Sequence, residues 1–429
     1  MTTPNASDLL KKITRLTCVQ CGAHYREGEH PYTCPKCGIE GILDVEYDYD
    51  VARASMKERG LGTTPHDRLG SIWRYMDLLP ISGAMGLPKL QVGGTPIVDA
   101  TRLAARLGIA SLWLKDDGRL PTCSFKDRAS AIGSTKAREL GFHTVACSST
   151  GNAASSLAGF CADAGLEAII FVPAHAPEAK VAQLRAFGAR VLLVEGSYDQ
   201  AYYLCEEACR EFGWYDRNCA VNPYLVEGKK TCGLEIGEQF AADPPDVVAV
   251  ALGDGCTTAG IWKGLGEMHM LGILPRMPRL LAVQASGSAP LAKAWDAKNF
   301  GDPPAGTTYE KVKAVTVADS IAVGEPRNWR KALRAVKASE GAILSVTDDA
   351  ILEAAKDVAA ATGVFAEPTA AAAFAGIAEA RARGIVTEKD KVVMVVTGNG
   401  LKDVGGAAKK APQAHRIGVS IADVRRALA

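Results

Sequence analysis

Three times in succession between residues 143 and 213, a short apolar run is followed by a longer segment with helical spacing. HTVACSS (143–149), EAIIFVP (167–173) and ARVLLVE (189–195) have the length and branched apolar content of buried strands. The segments Ala153–Ala164, APEAKVAQLRAFG (176–188) and SYDQAYYLCEEACREFG (197–213) read as the helices between and after them. This alternation makes successive strands parallel, and a parallel sheet needs cover on both faces, so the stretch predicts an α/β layer. A second series brackets it. SLWLKD (111–116) precedes the helical SFKDRASAIGSTKAREL (124–140), which Ser124 is expected to start. DVVAVAL (246–252), RLLAVQA (279–285), GAILSVT (341–347) and KVVMVVT (391–397) read as further strands, with helices from Asp348 and over 369–383. Two α/β lobes follow, with ligands expected beyond the carboxyl ends of the strands.

Ahead of these lobes stands CVQCGAHYREGEHPYTCPKCG, in which Cys18-x2-Cys21 and Cys34-x2-Cys37 are separated by twelve residues. Each pair can form a knuckle that turns two thiolates toward one point, and four thiolates at one point suit tetrahedral zinc. A pair of disulfides or a metal-free ribbon are the other readings. His24 and His30 are spare ligand candidates that read as loop residues. With four ligands supplied, no coordination position is left for a substrate, so the expected ion is structural and contributes folding energy. The other eight cysteines fall in apolar or amphipathic runs and read mainly as small buried hydrophobes.

Composition narrows the functional classes. Across 429 residues, 49 Lys+Arg against 48 Asp+Glu leaves a net charge of +1, which gives no electrostatic footprint for nucleic acid. The start, MTTPNASDLLKK, lacks an apolar core, and no uninterrupted apolar run approaches about 18 residues, so neither secretion nor membrane spanning is expected. A cytoplasmic protein is the expectation.

Three polar stretches sit at predicted strand ends. In SSTGNAAS (148–155) the hydroxyls of Ser148, Ser149 and Thr150 and the amides of a helix start can hold a carboxylate or phosphate, and Asn152 adds a directional amide. An ordinary helix cap is the alternative there. In GDGCTTAG (253–260), Gly253 and Gly255 permit turns that expose N–H groups, and Cys256, Thr257 and Thr258 can complete an anion nest. Neither the dinucleotide fingerprint nor the Walker spacing is present. TGNG (397–400) places a hydroxyl and an amide just beyond a buried strand.

Taken together, PTCSFKDRA (121–129), ACSSTGNAAS, VNPYLVEGKKT (221–231), GDGCTTAGIWKG and VVTGNGLKD (395–403) resemble successive motifs of the threonine synthase family, fold type II (tryptophan synthase beta-like) pyridoxal-phosphate enzymes. SIWRYMDLLP (71–80) and VGGTPIVDA (92–100) resemble that family's approach to the site. The resemblance implies a two-lobed α/β fold with an N-terminal four-cysteine zinc ribbon. Its division would be a ribbon over 1–48, a large cofactor-binding domain over 49–140 and 241–419, and a small α/β domain over 141–240. It implies that Lys126 carries pyridoxal 5′-phosphate covalently and acts in catalysis, and that Asn152 bonds the ring oxygen. Gly253, Asp254, Gly255, Cys256, Thr257 and Thr258 would hold the cofactor phosphate, Thr397 would face the ring nitrogen, and Ser148, Ser149 and Thr150 would take the substrate carboxylate. A homodimer acting on a small amino acid is the implied assembly.

The implied reaction converts O-phosphohomoserine and water to threonine and phosphate. Against it, Leu225 stands where the family run carries an arginine, Cys219 and Ala220 stand where small polar residues are expected, and Ala322-Val323 replace basic character, with Arg327 just beyond. Cys123 and Ala129 occupy positions commonly glycine, and Asp254 one usually an amide. Asp254 would oppose an anion unless it points away or meets a cation. These departures keep open a β-eliminating ammonia-lyase or β-replacement enzyme for a serine-, threonine- or aspartate-like substrate. An inactive regulatory or interaction protein is the reading from another class.

Overall fold

The computed structural model describes residues 12–29, 32–58, 60, 70–176, 178–301 and 306–429. His30 and the first eleven residues lie outside the described residues. Strands β1 (Ile13–Cys18), β2 (His24–Tyr25) and β3 (Leu43–Tyr47) form an antiparallel sheet in the order β2-β1-β3, which carries the four-cysteine segment. Next come β4 (Ile97–Asp99) and β5 (Ser111–Asp116). A four-stranded parallel sheet is built from β6 (Thr144–Ser148), β7 (Glu167–Pro173), β8 (Arg190–Val194) and β9 (Tyr215–Asp216), in the order β8-β7-β6-β9. The rest of the larger sheet is β10 (Val247–Ala251), β11 (Arg279–Ala285), β12 (Ala342–Val346) and β13 (Lys391–Val396). Its order is β12-β11-β10-β13-β5-β4, parallel throughout except for the pairing of β4 with β5.

The larger sheet is buried on both faces, which is why its strands read as continuous apolar runs. Along β10, Val247, Ala249 and Ala251 enter one core while Val248 and Val250 enter the other. The observed α/β architecture agrees with the sequence reading, and the runs for β5, β7 and β11 coincide with the strands themselves.

Three helices join the sheets. They are Lys126–Glu139, Pro223–Gln239 and Cys256–Met270, and they approach one another at backbone distance. A Cβ on Gly228 would lie 2.2 Å from the carbonyl oxygen of Arg128, one on Gly233 2.2 Å from that of Ile261, and one on Gly264 2.1 Å from that of Lys230. The antiparallel ribbon is packed on this bundle, because Leu16, Leu43 and Val45 share a core with Ile132 and Tyr224. Lys263 reinforces the contact with ion pairs to Asp44 at 3.1 Å and Glu227 at 2.7 Å.

One sequence expectation needs correction. The helix begins at Lys126 and Ser124 does not cap it: the buried Ser124 Oγ has no hydrogen-bond partner. The reason is non-local. Ser124 bridges Gly398, the Phe125 N–H donates to the Thr397 carbonyl at 2.9 Å, and the Asn399 N–H donates to the Cys123 carbonyl at 3.0 Å. The turn before Lys126 is thereby fastened to the chain leaving β13.

Because backbone leaves no room for a methyl group at Gly233, Gly233→Ala is expected to destabilise the protein by about 1–3 kcal/mol or more, as overpacked cores do. Chemical denaturation would read this as a lowered midpoint; an unchanged midpoint would contradict the packing described.

Candidate active site

The turn that delivers Lys126 is held in an unusual conformation. Cys123 has φ of 63°, in the left-handed region, which costs a residue with a side chain about 1–2 kcal/mol. The Asp127 carboxylate accepts from the Thr122 N–H at 2.7 Å and from its hydroxyl, closing the turn from the other side. Arg128, fully buried, donates to Asp117 at 2.6 Å and to Glu235 at 2.7 Å, and Lys115 donates to Glu235 at 2.6 Å. Burial alone would raise the Glu235 carboxyl, but Arg128 and Lys115 outweigh it and hold it at about 2. The first turn of the Lys126 helix is thus tied to the end of β5 and to the Pro223–Gln239 helix.

Lys126 lines a cavity of about 1050 Å³ at the carboxyl ends of β6, β10 and β13. The structure brings together there every residue that the sequence suggested for cofactor and substrate: Lys126, Ser148 to Thr150, Asn152, the loop from Gly253 to Thr258, and Thr397. The four cysteines of the ribbon form a separate group, with all four Sγ atoms within 4.8 Å of one another.

The cavity is built to receive polar groups. Two helices begin on it with no side-chain cap, Asn152–Ala164 after Gly151 and Cys256–Met270 after Gly255, so their first N–H groups are open to an anion. Gly255 has φ of 96°, and a Cβ there would lie 2.7 Å from the Asn328 carbonyl oxygen, so the turn into the second helix requires glycine. The buried hydroxyls of Ser148, Thr258 and Thr397 have no hydrogen-bond partner within the protein. Buried polar atoms are nearly always satisfied, and three orphans on one cavity wall mark places for ligand atoms.

The charges around it are asymmetric. Burial first, then the charge of Lys229, lowers the Lys126 amine to about 8. Asn152 donates to both carboxylate oxygens of Glu367, at 3.1 and 3.0 Å, and burial raises that carboxyl above its ordinary range. Asp254 meets a cation, as its position demanded: its carboxylate accepts from the Arg327 N–H at 3.3 Å, with the guanidinium at 3.9 Å. Leu225 is fully buried and points toward Gly133 of the Lys126 helix, where a Cβ would lie 2.5 Å from its Cδ2; it is not part of the cavity wall. Ala322 and Val323 do line the wall, and bring no charge.

Sequence reasoning missed Glu367, Arg217 and Lys229. Glu367 immediately precedes Pro368, the first residue of a helix, and an acid before a helix-starting proline is the signal that was available. Lys229 lay inside the quoted VNPYLVEGKKT, and Arg217 carried no local signal.

An orphan-lined cavity at strand ends, with uncapped helix starts and a lysine whose basicity burial lowers, offers the amine and the anion seat that an enzyme with a phosphorylated carbonyl cofactor needs. A family model described as pyridoxal-phosphate dependent enzyme matches residues 88–398. A threonine synthase of Methanosarcina acetivorans is 40% identical over 389 residues, covering 90% of this chain and 92% of that protein. A threonine synthase of Methanocaldococcus jannaschii is 35% identical over 412 residues, covering 96% and 98%. Among solved structures, the processed threonine deaminase isoform 2 of Solanum lycopersicum aligns with a TM-score of 0.61 at 23% identity, over 73% of this chain and 83% of its own. Maize serine racemase aligns with a TM-score of 0.61 at 21% identity, over 78% and 91%. The chain belongs to the pyridoxal-phosphate dependent enzyme family, with the fold type II architecture and pyridoxal 5′-phosphate as cofactor.

Glycine adopts the Cys123 conformation without steric cost, although it loses about 0.5–1 kcal/mol more entropy on folding. Cys123→Gly is therefore expected to stabilise the protein by about 1 kcal/mol or slightly less, and Cys123→Val to destabilise it. Urea unfolding midpoints in the reverse order would contradict the assignment of strain to this turn.

Proposed function

We propose that this enzyme converts O-phosphohomoserine and water to threonine and phosphate. The likeness to threonine synthases over nine-tenths of the chain carries the reading. Pyridoxal phosphate, when bound, supplies an electron sink that makes hydrogen on the amino acid's carbon chain acidic. Lys126 is assigned as its covalent anchor and, when freed, as the base beside Cα. An amine lowered to about 8 is partly neutral near neutral pH, as a proton acceptor must be. The uncapped helix start with Gly253, Asp254, Gly255, Cys256, Thr257 and Thr258 is assigned to the cofactor phosphate, Asn152 to the ring oxygen and Thr397 to the ring nitrogen. A hydroxyl at Thr397 cannot hold a positive ring nitrogen as a carboxylate does, which favours elimination and replacement over transamination. Ser148, Ser149 and Thr150 are assigned to the substrate carboxylate.

Zinc is assigned to Cys18, Cys21, Cys34 and Cys37 as a structural ion. Thiolates about 2.3 Å from a tetrahedral centre stand roughly 3.8 Å apart, and Cys21 and Cys34 have their sulfurs at 3.7 Å. The reading includes the ribbon, large and small domains at the boundaries given above, and a cytoplasmic homodimer. Among the described residues no helix is long and apolar enough to cross a membrane.

A second reading is a β-eliminating enzyme for a non-phosphorylated amino acid. The inward-facing Leu225 and the uncharged Ala322–Val323 wall favour it. Incubating cofactor-loaded protein with O-phosphohomoserine decides between them. Equimolar phosphate and threonine are expected; ammonia and a keto acid from serine or threonine, with no phosphate release, would overturn the reading. Capture of pyridoxal phosphate by cofactor-free protein should quicken about tenfold per pH unit up to about 8 and then level, because only the neutral amine attacks. A rise continuing to pH 10 would contradict the lowered basicity. Metal analysis of protein produced in zinc-containing medium should find one zinc per chain, and chelation should lower the unfolding midpoint; protein that holds no zinc, or a midpoint that chelation leaves unchanged, would contradict the zinc assignment.

A further inference from the structure

Among the described residues, all but two of the buried cations are paired with carboxylates. Lys230, fully buried, sits 2.6 Å from Glu227 and 2.9 Å from Glu267, and Arg128 has Asp117 and Glu235. Two cations break the pattern. Arg217 is 3% exposed and Lys229 is 4% exposed, yet among the described residues neither has a carboxylate within ion-pair distance. Arg217 spends one nitrogen on the Ser130 hydroxyl at 3.0 Å and its Nε has no partner; the neighbouring Asn218 amide nitrogen, also buried, has none either. All three residues line the cavity that contains Lys126. An unpaired buried charge costs several kcal/mol, so a wall carrying two of them is arranged for an anion from outside.

The protein offers one partial substitute. A hydrogen bond with the Cys256 thiol, then the charges of Lys229 and Arg217, draw the Cys219 thiol down to about 5 against the effect of burial. One thiolate leaves the pair of cations under-neutralised, whereas a phosphomonoester dianion matches them in charge. The cofactor phosphate already has a seat at the uncapped start of the Cys256 helix, with its orphan Thr258 hydroxyl. The cations are additional to that seat.

We propose that Arg217 and Lys229 form the grip for the phosphate of a phosphorylated amino-acid substrate, doing from the end of β9 and the middle of the Pro223–Gln239 helix what Leu225 cannot do. Lys229 lies one helical turn beyond Leu225, so the charge is displaced by four residues along the same helix. This inference rests on the reading of the enzyme as one that acts on O-phosphohomoserine.

The test compares wild-type holoenzyme with Arg217→Met and Lys229→Met. Replacing an unpaired buried cation by an apolar side chain of similar size should leave the ligand-free unfolding midpoint equal or higher, which separates this role from a structural ion pair. With O-phosphohomoserine, KM should rise about 10- to 100-fold for each substitution, the loss expected for one charge-assisted contact. Stabilisation of wild-type holoenzyme by inorganic phosphate should disappear in both variants. Cofactor affinity, read by fluorescence titration of cofactor-free protein, should stay within about threefold of wild type. A fall in cofactor affinity with KM unchanged would give the cations to the cofactor phosphate instead and overturn the inference. So would phosphate that fails to stabilise the wild type, since the thiolate alone would then satisfy them. If the wild type releases no phosphate from O-phosphohomoserine at all, the underlying reading of the enzyme fails, and the inference with it; wild-type turnover with unaltered KM in both variants sinks the inference alone.

Discussion

The site depends on one buried ion cluster. Arg128 reaches Asp117 at the end of β5 and Glu235 on the Pro223–Gln239 helix, and Lys115 closes the ring from within the strand. All four side chains are sealed from water, so removing one partner would strand charge in the interior at a cost of about 3–5 kcal/mol. The ring therefore fixes where the helix carrying Lys126 begins, two residues upstream of Arg128. The left-handed turn at Cys123 and its bonds to the chain leaving β13 fix the other side. A reactive amine is positioned by elements that are themselves over-determined, which is what a covalent cofactor site requires.

Around that amine the protein leaves polar groups unfinished. The hydroxyls of Ser148, Thr258 and Thr397, two helix starts without caps, and the cations Arg217 and Lys229 all face one cavity. Elsewhere buried cations among the described residues meet carboxylates, as around Lys230 and Arg128. The unfinished groups gather around the one amine at the strand ends, whose basicity is lowered by burial first and then by the charge of Lys229.

Much of this was legible in the sequence, and the exceptions share a cause. EAIIFVP and RLLAVQA coincide with β7 and β11 because a doubly covered strand needs an unbroken apolar run. The polar loops after β6, β10 and β13 were legible because hydroxyls, glycines and amides crowd where strands end. The Pro223–Gln239 helix was not assigned, for its Glu227, Lys230 and Glu235 look solvent-facing yet are fully buried. Their partners Tyr47, Glu267 and Arg128 are remote in sequence. Ser124 was misread for the same reason: a bridge to Gly398 replaced the expected local cap. The pairing of Asp254 with Arg327 likewise spans 73 residues. Periodicity reports burial and local bonding; it carries no information about which distant charge completes a buried pair.

The central claim is that the Lys126 amine is the covalent seat of the cofactor. Borohydride reduction of cofactor-saturated protein, followed by proteolysis and peptide mass mapping, tests it directly. The account predicts one pyridoxyl-phosphate adduct per chain, on the peptide containing Ser124 to Arg128 and localised to Lys126. An adduct on Lys229 or another lysine, or none at all, would contradict it.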